Sequence, residues 1–158
     1  MPRIGDRICA VDSIDRKILA VVQEEGRLTV TELAQRIGLS AAPCHRRLRE
    51  LKRSGVIRGY RAVVDPATIG RGFEVLLAVT MDREESVSGF ESGLAAIPEV
   101  IHAERLFGEP DYFIRVVTAD IAAFQRLRDE RLARLPGVQR MVSTIVMMKV
   151  VDNRPLPT

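Results

Sequence analysis

The stretch Thr29–Tyr60, TVTELAQRIGLSAAPCHRRLRELKRSGVIRGY, predicts two short helices joined by a tight turn. Its opening residues Thr29–Glu32 form a capping box, in which threonine and glutamate side chains satisfy backbone donors at a helix start. Gly38 supplies the left-handed residue that ends this helix, and Ser40 can cap the next one, which we expect to run to about Arg53. Two helices connected in this way form a helix-turn-helix, whose second helix enters the major groove of DNA.

The second helix of this motif has one apolar face and one cationic face. At about 100° per residue, Cys44, Leu48 and Leu51 fall on one stripe, which predicts the buried side of the helix. Residues near the start of a recognition helix usually reach base edges, and later ones reach phosphates. A basic helix that is merely solvated is the alternative, and the capped helix and glycine turn before it outweigh that alternative. The predicted DNA-binding residues are Ser40 at the helix start, Ala42, Pro43, His45 and Arg46 at the bases, Arg49, Lys52 and Arg53 at the phosphates, and Arg47 in a structural or phosphate-facing role.

Net charge separates the chain into two parts of opposite sign. Among the 158 residues, Lys and Arg number 24, and Asp and Glu number 21. Residues 1–61 hold 13 basic and 7 acidic side chains (+6), whereas residues 62–158 hold 11 and 14 (−3). One end therefore suits a polyanion such as double-stranded DNA, and the other does not. We expect a helix-turn-helix domain at 1–61, a linker at 62–72 and a second domain at 73–158.

The composition also disfavours several classes of protein. No run of the sequence approaches the roughly 20 apolar residues of a membrane span, and no signal-peptide pattern opens it, so we expect a cytoplasmic protein without a membrane partner. Two cysteines, Cys9 and Cys44, do not make a disulfide framework, and Cys44 is expected to be a small core residue. Because no Cys/His cluster has metal-ligand spacing, we expect no structural zinc and no other cofactor.

The remaining sequence predicts a further helix before the motif and a ferredoxin-like domain after it. Asp12 or Ser13 can cap the first helix, and Val56–Val64 is strand-like, either a wing or a linking strand. The second part has two β-α-β halves, which predicts an α+β fold with a four-stranded antiparallel sheet and two helices on one face. The predicted strands are Phe73–Met81, Val100–Phe107, Tyr112–Thr118 and Val138–Val151, and the predicted helices are Ser86–Ile97, weakened by Gly89 and Gly93, and Ala119–Leu135.

The second face of this predicted sheet has no helix to cover it. A bare apolar face needs a partner, and the economical one is another copy of the chain. We therefore expect at least a homodimer, which also suits a protein that reads two-fold symmetric DNA sites. The residues that make the strands apolar enough for both faces include Val75, Leu77, Ile114, Val116, Ile145 and Met147.

Short motifs spread along the whole chain resemble the leucine-responsive and asparagine-responsive (Lrp/AsnC, feast/famine) transcription regulators of bacteria and archaea. Each motif is weak by itself, but their order and spacing together are specific. The matching motifs are Asp15–Leu19, Glu32–Ala34, Gly38–Ser40, Arg47–Leu48 with Leu51, Gly55–Ile57 with Gly59–Tyr60, Gly108–Tyr112 and Leu135–Val138.

This resemblance implies a homodimer joined through the C-terminal sheets, higher assembly to tetramers or octamers, and a free amino acid as effector. An ammonium group suits a carboxylate such as Asp111, and Gly108 allows close backbone approach to a ligand. A plain hairpin loop is the alternative explanation of Gly108–Tyr112. The effector-binding residues that the resemblance implies are Gly108, Glu109, Asp111 and Tyr112 in the loop and Ser143, Thr144 and Ile145 in the last strand.

Three functions are compatible with these features. The first is a sequence-specific transcription regulator whose assembly and DNA affinity respond to an amino acid. The second is an architectural DNA-binding protein without an effector, whose binding would be dominated by its salt dependence. The third is an enzyme, which ranks last because the sequence shows no nucleophile–base pair and no glycine-rich phosphate loop after a strand.

Overall fold

The computed structural model describes residues 11–82 and 87–158, which form two compact units. One unit comprises the residues up to Val63 together with Val151–Thr158, and the other comprises Val64–Val150. The tail therefore groups with the first unit, unlike the expected division, which placed it in a domain at 73–158. The amide of Gln23 holds the tail, since its oxygen accepts the Leu156 N–H at 2.7 Å and its nitrogen donates to the Leu156 carbonyl at 3.2 Å. Within the described ranges, no helix is both long and apolar enough to cross a bilayer.

The first unit contains the three predicted helices, α1 (Ser13–Glu24), α2 (Val30–Ile37) and α3 (Ala41–Arg53). Asp12 caps α1 as predicted, because its Oδ1 accepts the backbone N–H groups of Ile14 and Asp15 at 2.9 and 2.8 Å. The three helices share one hydrophobic core, made of Ile18, Leu33, Ala34, Cys44, Leu48 and Leu51.

The turn between α2 and α3 is held by local hydrogen bonds that the sequence predicts. In the capping box, Thr29 Oγ1 accepts the Glu32 N–H at 3.2 Å and the Glu32 carboxylate accepts the Thr29 N–H at 2.7 Å. Gly38 ends α2 with φ 73°, and the Leu39 N–H then donates back to the Ala34 carbonyl at 2.9 Å. The prediction for Ser40 is only partly right: it is the N-cap residue of α3, but its side chain makes no capping hydrogen bond.

The strand predicted at Val56–Val64 is wrong, since these residues form no strand. They instead fold back onto the helices: the Ile57 N–H donates to the Leu51 carbonyl at 2.9 Å, and Ile57 packs against the core. Tyr60 lies against Gly26, where an added Cβ would come within 3.1 Å of its ring. A strand needs a neighbouring strand to satisfy its backbone groups, and the described residues of this unit offer this segment none.

The second unit is the predicted ferredoxin-like α+β fold. Its four strands are in the order β2-β3-β1-β4, every neighbouring pair is antiparallel, and a short 3₁₀ helix (Leu132–Arg134) precedes the last strand. The elements are β1 (Phe73–Met81), α4 (Val87–Ala95), β2 (Val100–Arg105), β3 (Tyr112–Thr118), α5 (Ile121–Glu130) and β4 (Val138–Ile145).

Four of these elements end earlier than predicted, among them α4, which stops at Ala95 rather than Ile97. The last strand stops at Ile145 rather than Val151 because its register pairs Ile145 with Val75, close to the start of its only neighbour, β1. The strand β2 stops at Arg105, after which the Leu106 N–H closes the hairpin on the Asp111 carbonyl at 2.7 Å. The helix α5 ends where Arg131 leaves helical geometry, with φ −122° and ψ −60°. Ser86, the predicted first residue of α4, lies outside the described residues.

Both helices of the second unit pack on one face of the sheet. The glycines that weaken α4 in the sequence allow this packing, because an added Cβ at Gly93 would lie 2.6 Å from Leu135 Cδ2. Glycine at this position therefore lets the Leu135 side chain pack closely on α4. The core on this face consists of Val75, Leu77, Val79, Phe90, Leu94, Ile97, Tyr112, Ile114, Val116, Phe124, Leu127 and Leu132.

No helix among the described residues covers the opposite sheet face, and the strand register decides which apolar residues lie on it. Val75 pairs with Val116 and Leu77 with Ile114, and all four lie in the helix-side core. The register places Leu76, Ala78, Phe113, Val117 and Val142 on the uncovered face, together with a buried carboxylate, Glu74. Glu74 forms ion pairs at 2.8 Å with both Arg115 and Lys149, so this face is part apolar and part charged.

Candidate functional site

The exposed side of α3 is a cationic ridge. Cys44, Leu48 and Leu51 are buried as predicted, whereas Ala42, His45, Arg46 and Arg49 are exposed. Ala42, Arg46 and Arg49 lie within about 60° of one another around the helix, so they present one surface. Pro43 is half-buried in the first turn, where a missing N–H costs no helical hydrogen bond.

Arg47 is turned away from this ridge. Its guanidinium Nη1 donates to Asp12 Oδ2 at 2.6 Å and to Asp15 Oδ1 at 2.9 Å, which joins α3 to the start of α1. The backbone N–H of Asp15 and the guanidinium of Arg47 lower the pKa of Asp12, and the two carboxylates raise the pKa of Arg47. These contacts match the structural role predicted for Arg47.

The two cations predicted to reach phosphates near the end of α3 already have intramolecular partners. Arg53 makes a two-point contact with Glu50, at 3.0 Å from Nε and 2.6 Å from Nη2, which lowers the pKa of Glu50. The Lys52 ammonium lies 4.9 Å from the centre of the Tyr60 ring. The side chains of Lys52 and Arg53 are both exposed, so a DNA phosphate that bound them would have to replace only surface contacts, which are weak.

The predicted effector loop is a hairpin connection whose main acidic residue has a structural role. Asp111 Oδ2 accepts the backbone N–H of Met81 at 2.7 Å, which ties the loop to the end of β1. Gly108 has φ 135°, a conformation that side chains rarely adopt, and the Glu109–Pro110 peptide bond is cis. The loop also carries Phe107, whose side chain is fully exposed.

Tyr112 points into the core rather than into the loop. It is 3% exposed, its ring centre lies 4.7 Å from that of Phe90, and its hydroxyl donates to Glu91 Oε1 at 2.9 Å. Burial, and then the carboxylate of Glu91, raise the pKa of Tyr112 to about 12.

The last-strand residues predicted to bind effector lie apart from the loop. Ser143 is opposite Leu77, which is in turn opposite Ile114, so β4 lies two strands from β3. Two strand spacings amount to about 10 Å. Thr144 lies on the uncovered face, while Ser143 and Ile145 have the helix-side register, and all three are exposed. One chain therefore does not bring the seven predicted effector residues together.

Family models match both units of the chain. Residues 11–58 match a winged helix-turn-helix DNA-binding domain, and residues 74–156 match the Lrp/AsnC ligand binding domain. The chain belongs to the Lrp/AsnC family.

Individual relatives agree with this assignment along nearly the whole chain. The leucine-responsive regulatory protein of Klebsiella pneumoniae is 34% identical over 92% of this chain and 90% of its own length. A transcriptional regulator from Neisseria meningitidis, solved with L-methionine, is 34% identical with a TM-score of 0.88 over 92% of this chain and 96% of its own. A feast or famine regulatory protein from Mycobacterium tuberculosis, also solved with L-methionine, is 30% identical with a TM-score of 0.87 over 94% and 100%. Such relatives are regulators of transcription rather than enzymes.

In this Lrp/AsnC chain, sequence reasoning missed a cavity of about 320 Å³ between α4 and β2. Its polar lining residues are Glu91, His102, Arg105 and Tyr112. Arg105 lies beside Tyr112 only because the hairpin register pairs these two residues. The one sign of this cavity in the sequence was the charged Glu91 immediately after the apolar Phe90. By sequence alone, Glu91 cannot be distinguished from an ordinary exposed residue of a helix.

The raised pKa of Tyr112 predicts a loss of stability at high pH. The unfolded tyrosine ionises near pH 10 and the folded one near 12, so the stabilising contribution is complete below pH 10 and is lost as the pH rises through 12. The expected loss is about 2–3 kcal/mol of unfolding free energy. Titration of tyrosinate absorbance in a Tyr60→Phe variant, which leaves Tyr112 as the one tyrosine, should give a midpoint near 12. A midpoint near 10 while circular dichroism still reports folded protein would contradict the burial of this hydroxyl.

Proposed function

We propose that this chain is a sequence-specific DNA-binding regulator of transcription, acting in the cytoplasm, whose assembly and DNA affinity respond to a free amino acid. The observation that carries the proposal is the exposed ridge of α3. There His45, Arg46 and Arg49 have no ion-pair partner among the described residues, while their neighbour Arg47 is used inside the unit. Side chains of a recognition helix that form no salt bridge are available to DNA without breaking the fold.

The positions along α3 divide the proposed contacts between bases and phosphates. Ala42, Pro43, His45 and Arg46 lie in the first half of the helix and are proposed to face base edges, where an arginine fork suits guanine. Ser40 has a hydroxyl that makes no capping hydrogen bond, so it can donate to a phosphate at the helix start. Arg49, Lys52 and Arg53 are proposed to contact the backbone, with phosphate replacing Glu50 as the partner of Arg53.

The effector site is proposed to form between two copies of the chain. Gly108 and Glu109 are exposed in the loop of one copy, and Ser143, Thr144 and Ile145 are exposed on the last strand. Because one chain separates these groups by two strand spacings, a second copy would complete the pocket. Asp111 contributes from beneath the loop, and Tyr112 supports it from the core. The relatives solved with L-methionine support a small amino acid as the ligand class.

Exposed apolar residues of the second unit support self-association. On the uncovered sheet face Phe113 is 46% exposed and Val142 is 43% exposed, beside the half-buried Leu76 and Ala78. An apolar face of this kind is rarely left in water. We propose a homodimer through this face, with further assembly to a tetramer or octamer.

A thermal-shift screen of the full chain against the standard amino acids tests the effector response. A ligand that binds only the folded protein stabilises it by about 2.7 kcal/mol at a hundredfold excess over its dissociation constant. The expected result is a raised midpoint for one chemical class of amino acid. No shift with any amino acid would favour the architectural DNA-binding alternative.

Asp111→Asn should abolish the amino-acid response and leave DNA binding intact. Asparagine can still accept the Met81 N–H through its carbonyl oxygen, so the hairpin should keep its geometry while the negative charge is lost. Titration calorimetry with the effector, and fluorescence anisotropy with operator DNA, measure the two properties separately. An unchanged effector affinity would move the ligand site away from this loop, and Asp120→Asn, which alters the cap of α5, is the matched control.

A further inference from the structure

The cavity between α4 and β2 carries one acidic and one basic group on an apolar floor. Glu91 projects from α4, Arg105 projects from β2, and Tyr112 of β3 lies between these elements. The apolar lining includes Leu94, Val100 and Ile101. A volume of about 320 Å³ lies within the range of small-molecule sites.

The acidic group is held in place by a buried partner. Tyr112 is 3% exposed and donates its hydroxyl to Glu91 Oε1 at 2.9 Å. Glu91 Oε2 has no hydrogen-bond partner within the described part of the chain. The carboxylate is therefore oriented by one oxygen and open to a donor at the other.

The basic group, Arg105, is adjacent to Tyr112 and has no ion-pair partner among the described residues. The hairpin register sets Arg105 directly opposite Tyr112, and directly opposed residues on neighbouring strands have Cβ atoms about 5 Å apart. Arg105 forms no ion pair with any described residue. Its charge reaches the same phenol, because it lowers the pKa of Tyr112 against the larger raising effects of burial and Glu91.

An irregularity in β2 widens the apolar part of the lining. The pairing shifts between Val100 and His102, so that Ile101 is an extra residue in the strand. Val100 and the exposed Ile101 both line the cavity as a result, as does Leu94 on α4. Such bulges often redirect side chains beside binding sites.

We propose that this cavity binds a zwitterionic amino acid with an aliphatic side chain inside a single chain. Glu91 would accept the ligand ammonium, Arg105 would donate to its carboxylate, and Leu94, Val100 and Ile101 would contact its side chain. The paired opposite charges argue for a zwitterion, because Glu91 repels a simple anion and Arg105 repels a simple cation. This site is distinct from the loop-and-strand site between copies, although it takes the ligand class of the proposed function.

Titration calorimetry of the full-length protein with L-leucine and L-methionine tests the inference. The variants are Glu91→Gln, which keeps an acceptor for the Tyr112 hydroxyl, and Arg105→Gln. Arg126→Gln and Glu130→Gln are exposed on α5 and serve as charge-matched controls. Isocaproate and isopentylamine each lack one of the two charged groups of leucine and serve as ligand controls.

The expected result is two binding events in the wild-type protein. One is at the loop site, and Asp111→Asn removes it. The other is in the cavity, once per chain, and either cavity variant weakens it by about tenfold or more while the controls and Asp111→Asn leave it unchanged. Neither single-charge analogue should bind at this site. If wild-type protein binds amino acids and the cavity variants bind them equally well, the inference is overturned while the proposed function stands. If wild-type protein binds neither amino acid in calorimetry, the cavity inference is overturned. Loss of every binding event in Asp111→Asn, with the cavity variants binding as the wild type does, assigns the whole response to the loop site and also overturns the inference.

Discussion

Arg46→Ala is expected to lower affinity for a specific DNA site by about 1–3 kcal/mol, which is roughly five- to 150-fold. Arg46 is exposed on the first half of α3, has no ion-pair partner among the described residues, and shares a surface with Ala42 and Arg49. Its removal takes away a base contact without leaving a buried group unpaired. Affinity for a scrambled duplex should fall much less. Fluorescence anisotropy on the two duplexes at one salt concentration gives both values.

The neighbouring arginines of α3 make this prediction specific. Arg47→Ala should lower the thermal stability of the first unit, because Asp12 and Asp15 lose their shared partner. Arg53→Ala should weaken binding to both duplexes equally and reduce the salt dependence, as expected of a phosphate contact. An equal loss on both duplexes for Arg46→Ala would assign Arg46 to the backbone instead.

Phe90→Ala is expected to destabilise the second unit by about 3–5 kcal/mol. Phe90 is fully buried, and its ring lies 4.7 Å from that of Tyr112, between α4 and the sheet. In a small domain each kcal/mol shifts the midpoint by about 4–8 °C, so the second unit should melt far below its normal temperature.

Differential scanning calorimetry measures how far the melting transition of the second unit falls, and DNA binding reports whether the first unit stays folded. The first unit has a separate core built on Ile18, Leu33 and Leu48, so its own transition should move little. Ile121→Ala, which shortens a side chain that is 52% exposed on α5, is the control and should cost less than about 1 kcal/mol. A single transition shifted for the whole chain would contradict two independent cores.

Local chemistry made the first unit predictable from its sequence. The caps at Asp12, Thr29 and Gly38 are set by residues within a few positions of one another, and each occurs as expected. The inward stripe of α3 followed from helical periodicity alone. The sequence did not decide between a structural and a phosphate-facing role for Arg47, because its partners Asp12 and Asp15 are 35 and 32 residues away in the chain.

The predictions that were wrong or incomplete concern features that depend on which strands pair with one another and in what register. Val56–Val64 has the composition of a strand, but no described residue pairs with it in a sheet. The strand β4 ends where β1 gives it no further partner. The sequence did not divide apolar residues such as Val75 and Leu77 between the two sheet faces, because their side is decided by register rather than by composition. The same limit hid the cavity, since only the β2–β3 register brings Arg105 beside Tyr112. The predicted effector residues stay a prediction, because a second copy of the chain would be needed to join them.

We propose to select binding sites from a random DNA pool with the full-length protein, with and without the amino acids that raise its melting point. This selection tests whether the chain is a sequence-specific DNA-binding regulator that responds to an amino acid. We expect enrichment of one motif with two-fold related halves, bound about a thousandfold or more tighter than scrambled DNA. We also expect that the effector changes this affinity or the state of assembly on the motif. A pool that stays random, bound with equal affinity and the same salt dependence whether or not amino acids are present, would contradict this function.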